Sequence, residues 1–216
     1  YISSVYEKIY LGDICSRNKI SNQNLLRLMV KKMAESVMQP QSYSRIAKVL
    51  SSVGGKITVP TTSSYIGYCQ DAWLLLRVRN ISAAFAEKES NCKYYFIDNG
   101  LLNIQTTEAT AALLENIVAI SLFRKYGCDT DNDRIYYYHS NIEVDFYIPD
   151  VETAIQVSYS IADETTCKRE VEALRKLSKF KPCTRRIIIT YDEERTISDE
   201  RGTIEVIPCW RWLLEQ

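Results

Sequence analysis

Several features that would place the chain in a special class are missing. None of the seven cysteines (Cys15, Cys69, Cys92, Cys128, Cys167, Cys183 and Cys209) stands in a Cys-x-x-Cys pair. Their odd number and scattered spacing argue against a zinc site or a disulfide framework and for reduced thiols in a cytoplasmic protein. His139 is the only histidine; it ends a strand-like run and reads as polar surface more readily than as a general base. No run of 18 apolar residues and no charged-then-apolar start occurs, so neither a membrane span nor a signal peptide is expected. Formal net charge is zero, and a nucleic-acid surface would have to be a local patch on a balanced chain.

What is present describes an ordinary globular protein. Apolar residues make up 46% and charged residues 25% of 216 positions, a length that suggests two modest domains. The chain starts at Tyr1 without Met and enters a helical run (2–14) at once, which reads as a piece of something larger.

The first eighty residues read as mostly helical. Asn22 or Ser21 caps a helix over 23–37, Ser42 precedes a helix over 43–52, and Pro60 opens a third over 61–71. Strand-like runs follow at 73–79 and 93–98. Three helices and a two-stranded wing is the order of a winged helix-turn-helix. In such a module the third helix meets DNA, and Thr61, Thr62 and Ser64, with Lys56 before them and Arg45 behind, are the candidate nucleic-acid contacts. The other reading of these hydroxyls is plain helix capping, with the winged helix serving as a protein contact. Arg77 and Arg79 are expected to be solvated. A soft boundary in 80–91 divides the chain into a helical, winged-helix-like domain (1–90) and an α/β domain (91–216).

The second part carries the candidate chemistry. A largely buried helix over 107–126, stopped by Gly127, holds Glu115 in its interior. A strand at 135–139 leads to two alternating runs, 142–148 and 154–160, joined at Pro149-Asp150 as a hairpin. Alternation puts Glu143 and Asp145 on one face and Val144 and Phe146 on the other, and pairing brings Gln156 towards the two acids. Glu143, Asp145 and Gln156 form a group of oxygens suited to a divalent cation. A helix over 163–180 capped by Asp163, strands at 186–190 and 203–207, and a closing helix at 208–214 complete an α/β order with acids at strand ends.

The succession KYYFIDNGL (93–101), LLEN (113–116), EVDF (143–146), IQVSYSIADE (155–164), ITYDEE (189–194) and VIPCWRWLL (206–214) resembles the C-terminal part of a family of prokaryotic AAA-superfamily ATPases. In that family an ATPase domain precedes a winged helix and a domain related to PD-(D/E)xK, restriction-endonuclease-like nucleases. The resemblance implies that ATP belongs to an N-terminal domain absent from this sequence, since no G-x-x-x-x-G-K-[ST] loop occurs. It implies as partners that ATPase domain, DNA or another protein, and no membrane. It also implies catalytic positions at Glu115 and Asp145, with Gln156 where the pattern has Glu and Ser158 where it has Lys. A working site of that kind holds Mg²⁺, which activates water. Glu115, Asp145 and Glu143 are then the candidate metal ligands, and Lys168, one turn into the next helix, is the candidate migrated cation, its other and preferred reading being a surface lysine beside Arg169 and Glu170. Because Gln brings no charge and Ser cannot replace an ammonium, the expected function is a nucleic-acid- or partner-interacting region with a degraded, non-cleaving site. The alternatives are a Mg²⁺-dependent DNA endonuclease and a protein-docking module.

Overall fold

A computed structural model describes residues 1–106, 110–127 and 129–215. The expected helix start at Thr107 and the cysteine Cys128 lie outside the described residues. The chain opens with α1 (Ile2–Lys8), which runs into a π-helical stretch (Ile9–Ser16). Helix α2 (Gln23–Glu35) is capped by Asn22, whose Oδ1 accepts the Leu25 N–H at 3.0 Å, and buries Leu25, Leu26, Met29, Val30 and Met33. A two-residue strand β1 (Gln41–Ser42) leads into α3 (Tyr43–Val53), with the Ser42 hydroxyl accepting from Arg45 N–H at 3.2 Å. Helix α4 (Val59–Asp71) starts two residues earlier than the proline signal implies. Thr58 is its cap, and Pro60 sits inside the first turn, where a missing N–H has no consequence.

Then follow β2 (Leu75–Asn80), α5 (Phe85–Ser90), β3 (Asn91–Phe96), α6 (Asn99–Asn103) and α7 (Thr110–Tyr126). The remainder is β4 (Asp131–His139), β5 (Glu143–Ile148), a 3₁₀ turn, β6 (Thr153–Val157), α8 (Glu164–Leu177), β7 (Arg185–Thr190), β8 (Arg195–Asp199), β9 (Gly202–Pro208) and α9 (Cys209–Leu214). The nine strands of the described residues form one mixed sheet, order β1-β3-β2-β4-β5-β6-β7-β9-β8. Strands β4, β5 and β6 form an antiparallel meander, and β6 is joined to the parallel β7 through α8.

The mixed α/β class is therefore observed. The position expected to divide two domains, between residues 90 and 91, falls between α5 and β3 inside this sheet. The two strands expected as a wing pair with each other, and β2 also pairs in parallel with β4. One apolar cluster runs from Tyr6 through Phe96 and Val118 to Trp212, and a second, under α8, contains Val144, Tyr147, Val171 and Leu174. The sheet thus has helices on both faces, α8 on one and α7 with α9 on the other.

Arg77 and Arg79 correct the expectation of solvated side chains. They are 8% and 7% exposed because the parallel β2–β4 pairing lays them beside Asp131, and Glu89 of α5 covers them. Arg77 Nε donates to Asp131 Oδ1 at 3.0 Å and Arg79 Nε to Glu89 Oε1 at 2.8 Å. The six described cysteines are free thiols. Among the described residues no helix is long and apolar enough to cross a membrane.

Asn116, fully buried on α7, ties that helix to the end of β3. Its Oδ1 accepts the Phe96 N–H at 2.7 Å and its Nδ2 donates to the Phe96 carbonyl at 2.9 Å and to Asn99 Oδ1 at 2.8 Å. Asn116→Ala strands both backbone groups of Phe96 away from water. It is expected to lower stability by about 3 kcal/mol in urea titrations, with the m-value unchanged.

Candidate functional site

The site is made by an irregularity in β5. Tyr136 pairs with Tyr147 and Tyr138 with Val144, so β5 spends one residue more than β4 over this interval. Such a bulge re-aims side chains locally. Strict alternation would put Asp145 on the α8 face with Tyr147. The extra residue turns it to the α7 face and moves Val144 to the α8 face, where it packs with Tyr147. Phe146 stays on the α7 face against Tyr95. Val144 and Phe146 therefore lie on opposite faces, a correction to the alternation reading.

Asp145 completes a buried charge cluster. Lys93 of β3 is 0% exposed, with its Nζ 3.0 Å from Asp145 Oδ1, 3.1 Å from Glu143 Oε1 and 3.5 Å from Glu115 Oε1. Its ammonium also lies 5.6 Å from the Tyr137 ring centroid. Glu115, 1% exposed on α7, accepts the Tyr95 hydroxyl at 2.7 Å, and Asp145 Oδ2 accepts the Val157 N–H at 3.0 Å. His139 stands at the rim, Nδ1 3.7 Å from Glu143 Oε2.

Burial pushes the Glu115 carboxyl up to about 7; the nearby Asp145 charge adds to this, and Lys93 and the Tyr95 hydroxyl oppose it. Burial pulls the Lys93 ammonium down, and the three carboxylates outweigh that effect, so Lys93 stays protonated.

The structure thus brings Glu115, Asp145 and Glu143 together and leaves out the other expected members. Gln156 is on the α8 face. Its Oε1 accepts the Asp145 backbone N–H at 2.8 Å, and its Nε2 donates to Glu170 Oε2 at 2.7 Å and to the Glu143 carbonyl at 3.2 Å. Its amide braces the bulge and offers nothing to the acids across the sheet. Ser158 donates to the Ser160 carbonyl. Lys168, the candidate migrated cation, is 71% exposed and paired with Glu164 one turn earlier on its own helix, which agrees with its reading as a surface lysine. The cation of the site is Lys93, which the sequence reading passed over as one residue of an apolar strand. A single ammonium in an otherwise uncharged run, CKYYF, was the available signal.

The Mg²⁺ implied by the resemblance does not fit this donor set. One oxygen of each of Glu115, Glu143 and Asp145 is directed at the same ammonium at 3.0–3.5 Å, whereas Mg²⁺ requires oxygens at about 2.0–2.1 Å around the ion itself. Among the described residues no group of three or more His, Cys, Asp or Glu has the geometry to hold a metal ion.

The acids line a cleft of about 1250 Å³ that also takes in Arg45 from α3, His139, and Arg169 and Lys176 from α8. Arg169 is engaged by Glu170. Of the residues expected to touch nucleic acid, Arg45 is in this cleft, while Lys56 and Ser64 are exposed elsewhere. Thr61 is held in the α4 cap, its hydroxyl 2.8 Å from that of Thr58. Thr62 is 0% exposed, its hydroxyl donating to the Thr58 carbonyl at 3.0 Å. Contact through Thr62 is excluded by packing, because it lies on the inner face of α4 with Ile66.

The family model described as Domain of unknown function (DUF8612) matches residues 1–112, just over half of the chain. The chain belongs to this family. Two curated proteins are similar to the DUF8612 chain over almost its full length. An uncharacterized protein of Methanocaldococcus jannaschii is 29% identical over 215 residues, covering 95% of the chain and 48% of the relative. An uncharacterized protein of Haemophilus influenzae is 27% identical over 222 residues, covering 99% and 52%. The DUF8612 chain thus spans about half the length of the curated relatives it matches. No solved structure matches it.

Two measurements test the charge cluster. Lys93→Ala leaves buried carboxylates uncompensated and is expected to destabilise the fold by about 3–5 kcal/mol. Millimolar Mg²⁺ or Mn²⁺ should raise the melting temperature of that variant and leave the wild type unmoved. Glu115 has its carboxyl raised from 4.5 to about 7 in the folded state. Between those values the folded chain holds a proton that the unfolded chain has released, so the stability from this group falls as pH rises from 4.5 to 7. The slope is at most about 1.4 kcal/mol per pH unit, and Glu115→Gln should remove it from urea titrations across that range.

Proposed function

We propose that this chain is the non-cleaving, nucleic-acid-binding part of a larger AAA-type ATPase, a nuclease-derived module whose acids are partly balanced from within. The observation that carries the reading is the Lys93 ammonium among Glu115, Glu143 and Asp145, where a catalytic dication would have to sit. The order α7, antiparallel β4–β5–β6, α8, parallel β7 supports a PD-(D/E)xK-like origin, with Glu115 on the first helix and Asp145 on the second strand. The order α2, β1, α3, α4, β2, β3, in which β1 pairs with β3, supports a winged-helix origin for the N-terminal part. Arg45 and Lys176 on the cleft walls supply cations for phosphates. The ATPase domain and its ATP are assigned to the remainder of the longer protein.

A Mg²⁺-dependent DNA endonuclease is the second reading, and one observation favours it: two acids of the expected set do meet a lysine.

Supercoiled and branched DNA incubated with the chain and Mg²⁺ or Mn²⁺, beside Asp145→Ala, separates the two. The expected result is a salt-dependent gel shift without nicking, weakened roughly tenfold by the Arg45→Ala/Lys176→Ala double substitution. Metal-dependent nicking that Asp145→Ala abolishes would establish the endonuclease instead. Absence of any shift at low salt would leave protein docking as the role of the cleft.

A further inference from the structure

A second cavity, about 380 Å³, lies where three segments end or begin: the π-helical stretch, α4, and the entry to β4. Its lining includes Asp13, Arg17, Gln70, Asp71, Trp73 and Asp129. Three exposed carboxylates and one guanidinium share this lining, and among the described residues none of the four is in an ion pair. Asp71 is the last residue of α4, and Ser16 ends the π-helical stretch just before Arg17. Both helices therefore bring their partially negative carbonyl ends to this corner.

Two side chains there present groups to the opening. Gln70 is 7% exposed and borders the cavity. Among the described residues its carboxamide has no hydrogen-bond partner and is not one of the buried unpartnered groups, so it opens onto the cavity. Trp73 is 50% exposed with φ 54°. Its N–H donates to the Gln70 carbonyl at 2.9 Å and the next N–H, of Leu74, to the Cys69 carbonyl at 2.8 Å. These are the two bonds of a helix stop whose left-handed residue is ordinarily glycine. A half-exposed indole is thus held in a left-handed backbone conformation beside the cavity it lines.

The carboxylates do not converge as metal ligands: among the described residues no such group exists. Dispersed negative charge, a carboxamide free to bond and an exposed indole face instead match a larger cation with N–H donors, which an indole attracts through its ring quadrupole. We propose that this cavity binds an organic cation, an alkylammonium or guanidinium group, seated against Trp73 and held by Asp13, Asp71 and Gln70. The site is separate from the Lys93 cluster and does not depend on the reading given to it.

Titration of the ¹⁵N-labelled chain with agmatine and with spermidine, followed through the tryptophan indole N–H signals and, in every variant, the backbone amide signals of α4, tests the site. The expected result is a saturable shift of one indole signal with at least one of the two cations, and none with the neutral analogue butyramide. Gln70→Leu and Asp71→Asn should each weaken binding at least fivefold. Trp73→Gly should abolish binding while keeping or raising the melting temperature, because glycine suits that backbone better; this separates loss of the site from loss of the fold. A short arginine-containing peptide that binds more tightly than agmatine would assign the cation to a partner protein, and the reverse order would assign it to a free amine. No saturable response to either cation, or equal affinity in Trp73→Gly, would overturn the proposal.

Discussion

A lysine with no solvent exposure is tolerated only where opposite charge surrounds it, because moving an isolated ammonium out of water is prohibitively unfavourable. Lys93 meets that condition through three groups from two other elements: Glu115 on α7, and Glu143 and Asp145 on β5. The requirement couples them. Strand β3 cannot lie in the sheet with Lys93 inward unless α7 packs over it, and Asp145 reaches the ammonium only through the bulge. The bulge in turn is braced by the Gln156 amide, which bonds the backbone on either side of Val144. A one-residue irregularity, a neutral amide and a buried cation thus form a single unit, and the continuity of the sheet across residue 90 is what brings Lys93 within reach.

How much of this was legible in the sequence follows the range of the signal. Asn22 and Ser42 cap α2 and α3 where their side chains predict, and Asp163 caps α8, its carboxylate accepting the Thr166 N–H at 2.8 Å. Each of these is decided within four residues. The hairpin β5–β6 was legible for the same reason. The parallel pairing of β2 with β4 was not, since it joins residues more than fifty positions apart and leaves no local mark. Arg77 and Arg79 were misread through it: an arginine in a strand reads as surface until the partner that buries it is known.

The site itself was half legible. Glu115 and Asp145 stand out as acids in apolar surroundings, and both belong to the cluster. Gln156 was placed among the metal-binding oxygens on the assumption of strict alternation, and the same assumption put Val144 and Phe146 together. The bulge defeats both inferences, because one additional residue reverses every face beyond it. Lys168 was only a candidate cation near in sequence to the vacated position, with a surface lysine as the preferred reading, and it is a surface lysine. Lys93 fills the role from a strand more than fifty residues earlier than Asp145, in agreement with electrostatics, which depends on distance in space and not along the chain.

Three carboxylates around one ammonium leave the floor of the cleft with an excess of negative charge, and only Glu143 and, to a smaller extent, Asp145 present it to solvent. Phosphates entering the cleft would be repelled from the floor and attracted to Arg45 and Lys176 on the walls. A metal-dependent nuclease removes this conflict by placing a dication on its acids, which draws the scissile phosphate down onto them. Here the acids are neutralised from below by a lysine that reaches no ligand, so their charge is partly balanced for the fold and left unbalanced for the phosphate. Under the proposed function, that asymmetry separates holding a nucleic acid from cutting it: the wall cations act at the height of the backbone while the floor keeps it at a distance.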